Sequence, residues 1–448
     1  MLPEKPYIED TIVACATGGG VGGINVIRVS GIDAEKIAKK IIGDLPKPRI
    51  ATYRKFRNKK KEIIDVGLII FFPSPNSFTG ESVVEFHSHG GSMLGELLID
   101  EVVGLGARRA EPGEFSKRAF LNNKIDLIQA EAIADLISCV TPKSARAAVQ
   151  SLSGTFSELI FELNTKLMNL RLFVEAAIDF PEEEIDFLSD QELINNIELC
   201  QELFKSTLDG ATSGEILRNG VQVAIVGPPN AGKSSLFNHL AKSDKAIVTD
   251  IPGTTRDILK ISVDIDGLQV IFYDTAGIRD NPDEIEAEGI KRTKKLLETM
   301  DIAILMNDIT INPSENIAIL PSELACLHVN NKIDLINNKS EISDEDGKIN
   351  ISVKSNLGID ELLLRIKKLS NYEFSCDGVF SARTRHIKAL ERSYDHFLLG
   401  KEHLLTHKAG ELFAEELRIA SEALGEITGK LSSDELLGKI FSEFCIGK

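Results

Sequence analysis

The residues from Gly227 to Ser234, Gly-Pro-Pro-Asn-Ala-Gly-Lys-Ser, have the types and spacing that a chain of phosphates demands. Glycines let successive backbone N–H groups turn inward on a β-phosphate, the Lys233 ammonium reaches the β and γ oxygens, and the Ser234 hydroxyl can ligate Mg²⁺. Asn230, Ala231, Gly232, Lys233, Ser234 and Ser235 are therefore candidate nucleotide contacts, with Lys233 also a candidate catalytic group. A glycine turn that merely joins a strand to a helix would read the same way over this stretch alone.

Three further signals follow in the order a guanine-nucleotide site requires. Asp274-Thr275-Ala276-Gly277 succeeds the apolar Val270-Ile271-Phe272, where a carboxylate can hold the metal's water shell and a glycine N–H can meet the γ-phosphate. Asn331-Lys332-Ile333-Asp334 succeeds Leu327-His328-Val329, and a carboxylate at Asp334 accepts both guanine N–H donors, a pair that adenine lacks. A buried, unpaired carboxylate would reject the wrong ring. Ser352-Val353-Lys354 sits where GTPases usually carry a Ser-Ala-Lys loop behind the base; Val353 departs from it, at a position whose contact is normally a backbone one.

Hydrolysis needs more. The polar, turn-rich Thr249-Asp250-Ile251-Pro252-Gly253-Thr254-Thr255 offers a threonine, assigned as Thr255, that closes over Mg²⁺ while the γ-phosphate is present. Ile278 stands where Ras-type enzymes carry a water-orienting glutamine, so catalysis must come from elsewhere. Asn230 could help hold a monovalent cation, and Glu286 could orient water. An acidic run such as the one around Glu286 is more often the solvated start of a helix.

These loops need a strand-loop-helix frame, and the chain supplies one. Val223 to Val226 is a short buried strand, and the helix after Gly232 continues through Leu236, Phe237 and Leu240. Ahead of it, Thr11 to Ala16, Ile24 to Val29, Val66 to Phe72 and Ser82 to His87 read as strands and Ala34 to Ile42 as a helix. The glycine-rich link from Gly18 to Gly23 leads into a strand and makes a poor phosphate cradle. Lys47, Arg49, Arg54, Lys55, Arg57, Lys59, Lys60 and Lys61 form the densest basic run, interleaved with Tyr53 and Phe56; RNA contact and a solvated loop between strands both fit it. His87 and His89 alternate, with no third ligand at a useful spacing, and are read as structural.

From Gly113 the period becomes helical, with Leu127, Ala130, Ala134 and Ile137, then Leu152, Phe156, Leu159, Leu163, Leu167 and Leu170, up to Pro181. Helical patterns return over Ile387 to Leu405, Leu412 to Ile427 and Asp434 to Phe444. The expected architecture is multidomain, α/β plus all-α, with a Ras-like P-loop module inserted into a helical domain. The expected bounds are 1–118 for an amino-terminal α+β domain, 119–215 and 373–448 for the helical halves, and 216–372 for the module. Such an insertion can pass nucleotide-driven movement into its host at both ends.

A formal net charge of −17 over 448 residues argues against a chain that coats nucleic acid nonspecifically, so any RNA contact must be local. No amino-terminal signal and no membrane-length apolar run is visible, which points to a soluble cytoplasmic protein. Six scattered cysteines, without paired metal spacing, read as reduced thiols.

Over essentially its full length the chain resembles the MnmE (TrmE) family of tRNA modification GTPases. The resemblance rests on Asp10-Thr11-Ile12-Val13, Asn76-Ser77-Phe78-Thr79-Gly80-Glu81 with His89-Gly90-Gly91, Pro112-Gly113-Glu114-Phe115 with Arg118-Ala119-Phe120-Leu121-Asn122, and Lys124-Ile125-Asp126-Leu127 with Gln129-Ala130-Glu131-Ala132. Leu424-Gly425-Glu426-Ile427-Thr428-Gly429 and the terminal Cys445-Ile446-Gly447-Lys448 complete it. One departure is Gly18-Gly19-Gly20-Val21-Gly22-Gly23, where the family commonly has Pro-Pro-Gly-Arg-Gly-Gly, so any role of that arginine is absent.

The resemblance implies an amino-terminal domain that binds formyl- or methylene-tetrahydrofolate, with Arg28, Glu85 and Lys124 at the folate-contacting positions and Lys448 reaching the same site. It implies that Cys445 lies near the folate, as a nucleophile or acid/base by one reading and as a small apolar filler by another. It implies a potassium-dependent GTPase that dimerises across its nucleotide face, with K⁺ at Asn230, Thr249, Ile251 and Thr254, Mg²⁺ at Ser234 and Thr255, and water activation at Glu286. The implied assembly is a homodimer joined through the amino-terminal domain, working with the flavoprotein MnmG (GidA) in a heterotetramer or larger complex. Its implied product is a carboxymethylaminomethyl group at C5 of the wobble uridine of certain tRNAs. Two rivals stand beside this: a ribosome-associated regulatory GTPase, which would not retain formyl-tetrahydrofolate on residues 1–120, and a folate aminomethyl transferase that its GTPase merely regulates.

Overall fold

The computed structural model describes residues 10–18, 22–179, 191–247, 259–274, 295–311, 320–321, 324–336, 348–370, 379–430, 434–442 and 444–447. The chain divides into two compact units. One takes residues 1–134, 152–204 and 388–448, the other 135–151 and 205–387.

The first unit begins with β1 (Ile12–Cys15), β2 (Ile24–Ser30), α1 (Ala34–Ile42), β3 (Thr52–Arg57), β4 (Ile63–Phe72), β5 (Val83–His89), α2 (Ser92–Gly104), β6 (Arg108–Arg109) and α3 (Glu114–Leu121). The strands form one sheet in the order β3-β4-β5-β2-β1-β6, antiparallel except for β1 with β6. In α1 the buried residues are Ala34, Ile37, Ala38 and Ile41, the three-to-four spacing that lays one apolar stripe on a sheet. That stripe and Leu98, Ile99 and Val102 of α2 bury one sheet face, with Val13, Ile27, Phe56, Ile69 and Phe86. Phe56 meets Phe86 edge-on at 5.4 Å. The opposite face carries Ile12, Ala14 and Phe115 in a smaller cluster, and Arg28 paired in register with Glu85. The middle of the basic run is therefore a strand, β3, rather than a loop, because Phe56 alternates inward and anchors it to the core.

The motif residues from Asp10 to Arg118 form a charge network. Arg118, only 4% exposed, donates to Asp10 Oδ1 (2.6 Å) and Glu114 Oε1 (2.9 Å) and lies 3.2 Å from Glu81 Oε1. Arg108 clasps Glu114 through both terminal nitrogens (2.8 and 2.5 Å), and Ser30 Oγ donates to Glu81 Oε2 (2.6 Å).

Helices follow as α4 (Leu127–Ser138), α5 (Pro142–Leu152), α6 (Thr155–Asp179) and α7 (Gln191–Asn219). The apolar row expected from Leu152 to Leu170 is divided by Gly154, whose φ of +98° ends α5, and Ile160 rather than Leu159 fills the buried position of α6. Helix α7, whose Leu193, Ile197, Cys200 and Phe204 are buried, is not among the helices expected from the sequence. A single glycine, Gly220 at φ +69°, leads from α7 into the next strand; a Cβ there would sit 2.8 Å from the Gln269 carbonyl.

The second unit holds β7 (Val221–Val226), α8 (Lys233–Ala241), β8 (Ala246–Ile247), β9 (Lys260–Ile265), β10 (Leu268–Asp274), β11 (Ile302–Asp308), β12 (Ala325–Asn331), β13 (Ile349–Asn350) and α9 (Ile359–Leu369). Their order is β13-β12-β11-β7-β10-β9-β8, parallel from β13 to β10. From Val223 to Val226 strand β7 is a continuous apolar run because it is central and covered on both faces. The strand order reverses about it, β10 on one side and β11 on the other, and ligands bind outside the carboxyl end of the strand at such a switch point. In the same unit Asp135 accepts from Arg218 Nε and Arg383 Nη2, both at 2.8 Å, and from Ser381 Oγ at 2.9 Å.

The chain closes with α10 (Thr384–His407), α11 (Gly410–Thr428) and α12 (Asp434–Ser442), close to the expected helices. Within the first unit α11 packs on α6, burying Phe413, Leu417, Ala420, Leu424 and Ile427. Among the described residues no helix is long and apolar enough to cross a membrane.

Burial pushes the Glu114 carboxyl up, but hydrogen bonds from Arg108, the Glu111 N–H and Arg118 prevail and hold it at about 2, below its ordinary 4.5. Its ionised form therefore contributes stability that is complete above about pH 4.5 and lost as pH falls toward 2, on the order of 3 kcal/mol. Glu114→Gln is expected to unfold at lower urea than wild type near pH 7, by roughly that amount. The gap should narrow as pH falls below about 4.5 and be largely gone near pH 2; a gap independent of pH would show that the carboxylate's charge contributes nothing.

Candidate functional site

Strand β7 ends at Val226, and the chain then turns at Gly227 with φ +149°, where a Cβ would lie 2.2 Å from the Met306 carbonyl oxygen. Only glycine fits there, and the loop is pressed against β11 as a result. Asn230 takes the left-handed conformation (φ +62°) and is exposed, while Ala231 is fully buried. Gly232 (φ +99°) caps α8, and a Cβ on it would stand 2.1 Å from Asn331 Nδ2. Lys233, 8% exposed, folds back to donate to the carbonyls of Gly227 (2.9 Å) and Pro228 (2.8 Å). The ammonium thus lies across the mouth of the loop. Ser234 and Ser235 are exposed at the first turn of α8, where unpaired backbone N–H groups favour an anion.

Asp274, at the carboxyl end of β10 and 3% exposed, accepts from Ser234 Oγ at 3.3 Å. A hydroxyl oxygen and a carboxylate oxygen so close form a donor pair that suits a hard divalent cation such as Mg²⁺.

The base-reading loop is held to the phosphate loop by Asn331, whose Nδ2 donates to the Ala231 carbonyl (2.9 Å) and whose Oδ1 accepts from the Val353 N–H (3.2 Å). Asp334 Oδ1 accepts from Ser352 Oγ at 2.6 Å, and Ser352, fully buried, also meets Ser355 Oγ at 2.7 Å. Ser352 thus orients Asp334 through its side chain. Asp334 itself is exposed, so what fixes its carboxylate is the Ser352 hydroxyl rather than burial within the protein.

Sequence reasoning misses Asp308. This 7% exposed residue ends β11, pairs in register with Asn331, and takes the Lys332 ammonium at 2.5 Å. Lys332 and the Thr310 hydroxyl hold its carboxyl at about 2. A carboxylate at the carboxyl end of a parallel strand beside the phosphate loop was the available signal. Lys332 (φ +70°) is therefore fixed at both ends, and its stem is left as an apolar surface beside Asp334.

In the first unit, Arg28 Nε and Nη2 both reach Glu85 Oε1 at 2.9 Å, and His87 Nε2 lies 3.4 Å from Glu85 Oε2. The guanidinium sits 5.7 Å from the ring centroids of Phe78 and of Phe115. Lys124 is exposed, and a Cβ on Gly80 would lie 3.1 Å from its Cε. The loop from Asn76 to Glu81 therefore touches both ends of the trio, Phe78 at Arg28 and Gly80 at Lys124. Exposed Cys445 gives its carbonyl to the Gly113 N–H (3.4 Å), Ile446 bridges to Pro112, and Gly447 (φ +96°) is so close to β1 that a Cβ would stand 2.2 Å from the Cys15 carbonyl. The chain terminus thus runs beside the segment that delivers Phe115. His89 Nδ1 bonds Asp65 Oδ1 at 2.9 Å, and no group of metal-ligating side chains occurs among the described residues.

Thr249, Asp250, Ile251, Pro252, Gly253, Thr254, Thr255, Thr275, Ala276, Gly277, Ile278, Glu286 and Lys448 lie outside the described residues.

Two family models match the chain: "GTP-binding protein TrmE N-terminus" over residues 11–124 and "MnmE helical domain" over residues 127–445. The chain is 48% identical over 446 residues to the tRNA modification GTPase MnmE of Hydrogenovibrio crunogenus, covering 98% of this chain and 99% of that one. It is 47% identical over 448 residues to the protein of the same name from Coxiella burnetii, with the same coverage. Among solved structures, the G domain of the T. maritima FeoB iron transporter is 26% identical with a TM-score of 0.26, over 34% of this chain and 98% of that one.

Asp308→Ala frees Lys332 without touching the phosphate loop, and is expected to weaken GDP and GTP binding alike by roughly tenfold with little change in turnover. Gly232→Ala displaces Asn331 and should cost more, on both base and phosphate sides. Titration of fluorescent GDP reports both; affinity unchanged in Asp308→Ala would remove the ion pair from the binding site.

Proposed function

The chain belongs to the MnmE family of tRNA modification GTPases, and on that premise we propose that it is a potassium-dependent GTPase that installs a carboxymethylaminomethyl group at C5 of the wobble uridine of certain tRNAs. It does so with a one-carbon tetrahydrofolate and a flavoprotein partner, MnmG, and it works in the cytoplasm as a homodimer. The observation that carries the reading is that one chain combines a phosphate loop tied to an Asn-Lys-Ile-Asp motif with an Arg28–Glu85 pair, next to a loop whose Phe78 lies by Arg28 and whose Gly80 lies by Lys124.

On the nucleotide side, Lys233 and the N–H groups ahead of α8 bind the β- and γ-phosphates, and Asp334, oriented by Ser352, accepts the guanine N–H donors. Ser234 with Asp274, joined by Thr255, would hold Mg²⁺, and Asn230 with Thr249, Ile251 and Thr254 would hold K⁺. Bound cations of this kind neutralise charge that builds on the transferring phosphoryl oxygens. Glu286 orients the attacking water in place of the missing glutamine. Asp274 and Gly277 sense the γ-phosphate, and Thr275, Ala276, Asp250, Pro252 and Gly253 are further contacts to GTP.

On the folate side, the donor set fits a pterin and its glutamate tail. Glu85 keeps acceptor capacity beyond its pairing with Arg28, which suits ring N–H donors. Arg28 is committed to Glu85 and orients it, so Lys124, with Lys448, is the cation left for the tail. Cys445, at the exposed terminus, is the candidate thiol. The bound folate would supply the one-carbon unit. A ribosome-associated GTPase would need the guanine motifs but not this second cluster.

GTP hydrolysis is expected to run faster in K⁺ than in Na⁺ at equal ionic strength; equal rates would take the monovalent cation out of the account. Radiolabelled formyl-tetrahydrofolate should be retained by the full-length protein and largely lost by Glu85→Gln, with GTP turnover preserved. Asp274→Ala should abolish wobble-uridine modification while keeping folate retention, and persistence of the modification would make the GTPase dispensable to the chemistry.

A further inference from the structure

We infer that the edge strand β3 and the turn after it form a phosphate-binding surface on which the tRNA backbone docks, an inference that rests on tRNA being the substrate. The chain carries a formal charge of −17, yet residues 46–62 hold eight cations and a single carboxylate. Among the described residues strand β3 lies at the edge of its sheet, paired only with β4. Tyr53 and Lys55 are exposed and alternate along it, so they project from one face about 6.6 Å apart, and exposed Arg57 follows at a shift in register, its Nη1 on the Lys61 carbonyl at 3.1 Å.

Part of this charge serves the fold itself. Lys59 Nζ donates to the Gly104 carbonyl (2.5 Å) at the end of α2, where a cation complements the helix dipole, and Arg49 Nη2 donates to the Asn76 carbonyl (2.7 Å). Lys47, Lys55, Lys60 and Lys61 are different. Among the described residues their side chains make no ion pair and no hydrogen bond. The lone carboxylate, Glu62, is engaged by Asn58 Nδ2 at 2.7 Å and neutralises none of them.

The turn that bears Lys60 and Lys61 is ordered. Asn58 Oδ1 accepts from the N–H groups of Lys60 (3.0 Å) and Glu62 (2.9 Å), its carbonyl accepts from the Lys61 N–H (2.8 Å), and Lys61 is held at φ +65°. Charges on an edge strand can serve only to deter pairing with another edge, and that would account for Lys55. It does not account for Lys60 and Lys61, which lie beyond the strand. Unpaired ammonium groups on a rigid turn suit phosphate oxygens, whose counterions they release, and the exposed Tyr53 ring (61%) offers a face on which a base can stack.

The test is fluorescence anisotropy of labelled tRNA lacking the modification, titrated with full-length protein across a KCl series. The triple variant Lys55→Glu, Lys60→Glu, Lys61→Glu should bind at least about tenfold more weakly, with the slope of log affinity against log salt reduced by roughly two to three. Its GTP turnover should match wild type. Tyr53→Ala should lose affinity with the slope unchanged. Unaltered tRNA affinity in the triple variant overturns the inference, as does an altered oligomeric state with normal affinity, which would make the strand an interface between copies. Wobble-uridine mass spectrometry of cells carrying only the variant reads the underlying function separately. Wild-type protein that supports modification but binds no tRNA leaves that function standing and overturns this surface.

Discussion

The nucleotide site depends on one buried amide. Asn331 gives a hydrogen to the Ala231 carbonyl of the phosphate loop and takes one from the Val353 N–H of the loop behind the base, so a 4% exposed side chain ties three loops into one body. Its position requires Gly232, since a Cβ there would occupy the space of Nδ2. Asp308 and Ser352 then fix the next two polar members of the motif, Lys332 and Asp334. Asn331, Lys332 and Asp334 thus each have their own anchor, and the ordering of these three side chains is already part of the fold.

The amino-terminal sheet shows the same economy with charges. Arg118 is buried against Asp10, Glu81 and Glu114, and such a group is tolerated only because several carboxylates satisfy it at once. This network fixes α3 and the 76–81 loop, and through them Phe115 and Phe78 on either side of Arg28. Glu81, Glu114 and Arg118, which carry part of the family resemblance, thus build the frame of this unit.

Much of the second unit is legible in the sequence because its strands are central and its loops punctuated: β7, the glycine turn and α8 follow directly from Val223 to Leu240. The pairing of Arg28 with Glu85 is not legible from local pattern, since it arises only through strand register, and each residue alone reads as a surface charge. Asp308 escapes notice because a carboxylate ending an apolar strand looks like a solvated strand end. Helix α7 is hidden by the acidic stretch after Pro181, and the split at Gly154 by a leucine spacing that runs on across it. The strand within the basic run is obscured because charge masks its one inward residue, Phe56.

If the base-reading loop is held in register with the phosphate cradle as described, altering the base preference should leave the phosphate chemistry untouched. Asp334→Asn exchanges an acceptor for a donor, which suits the C2 carbonyl of xanthine in place of the guanine amino group. The direct measurement is turnover of GTP and of xanthosine triphosphate by this variant. The account predicts that GTP is lost and that xanthosine triphosphate is hydrolysed near the wild-type rate with GTP. Loss of both, in a protein that remains folded, would contradict it.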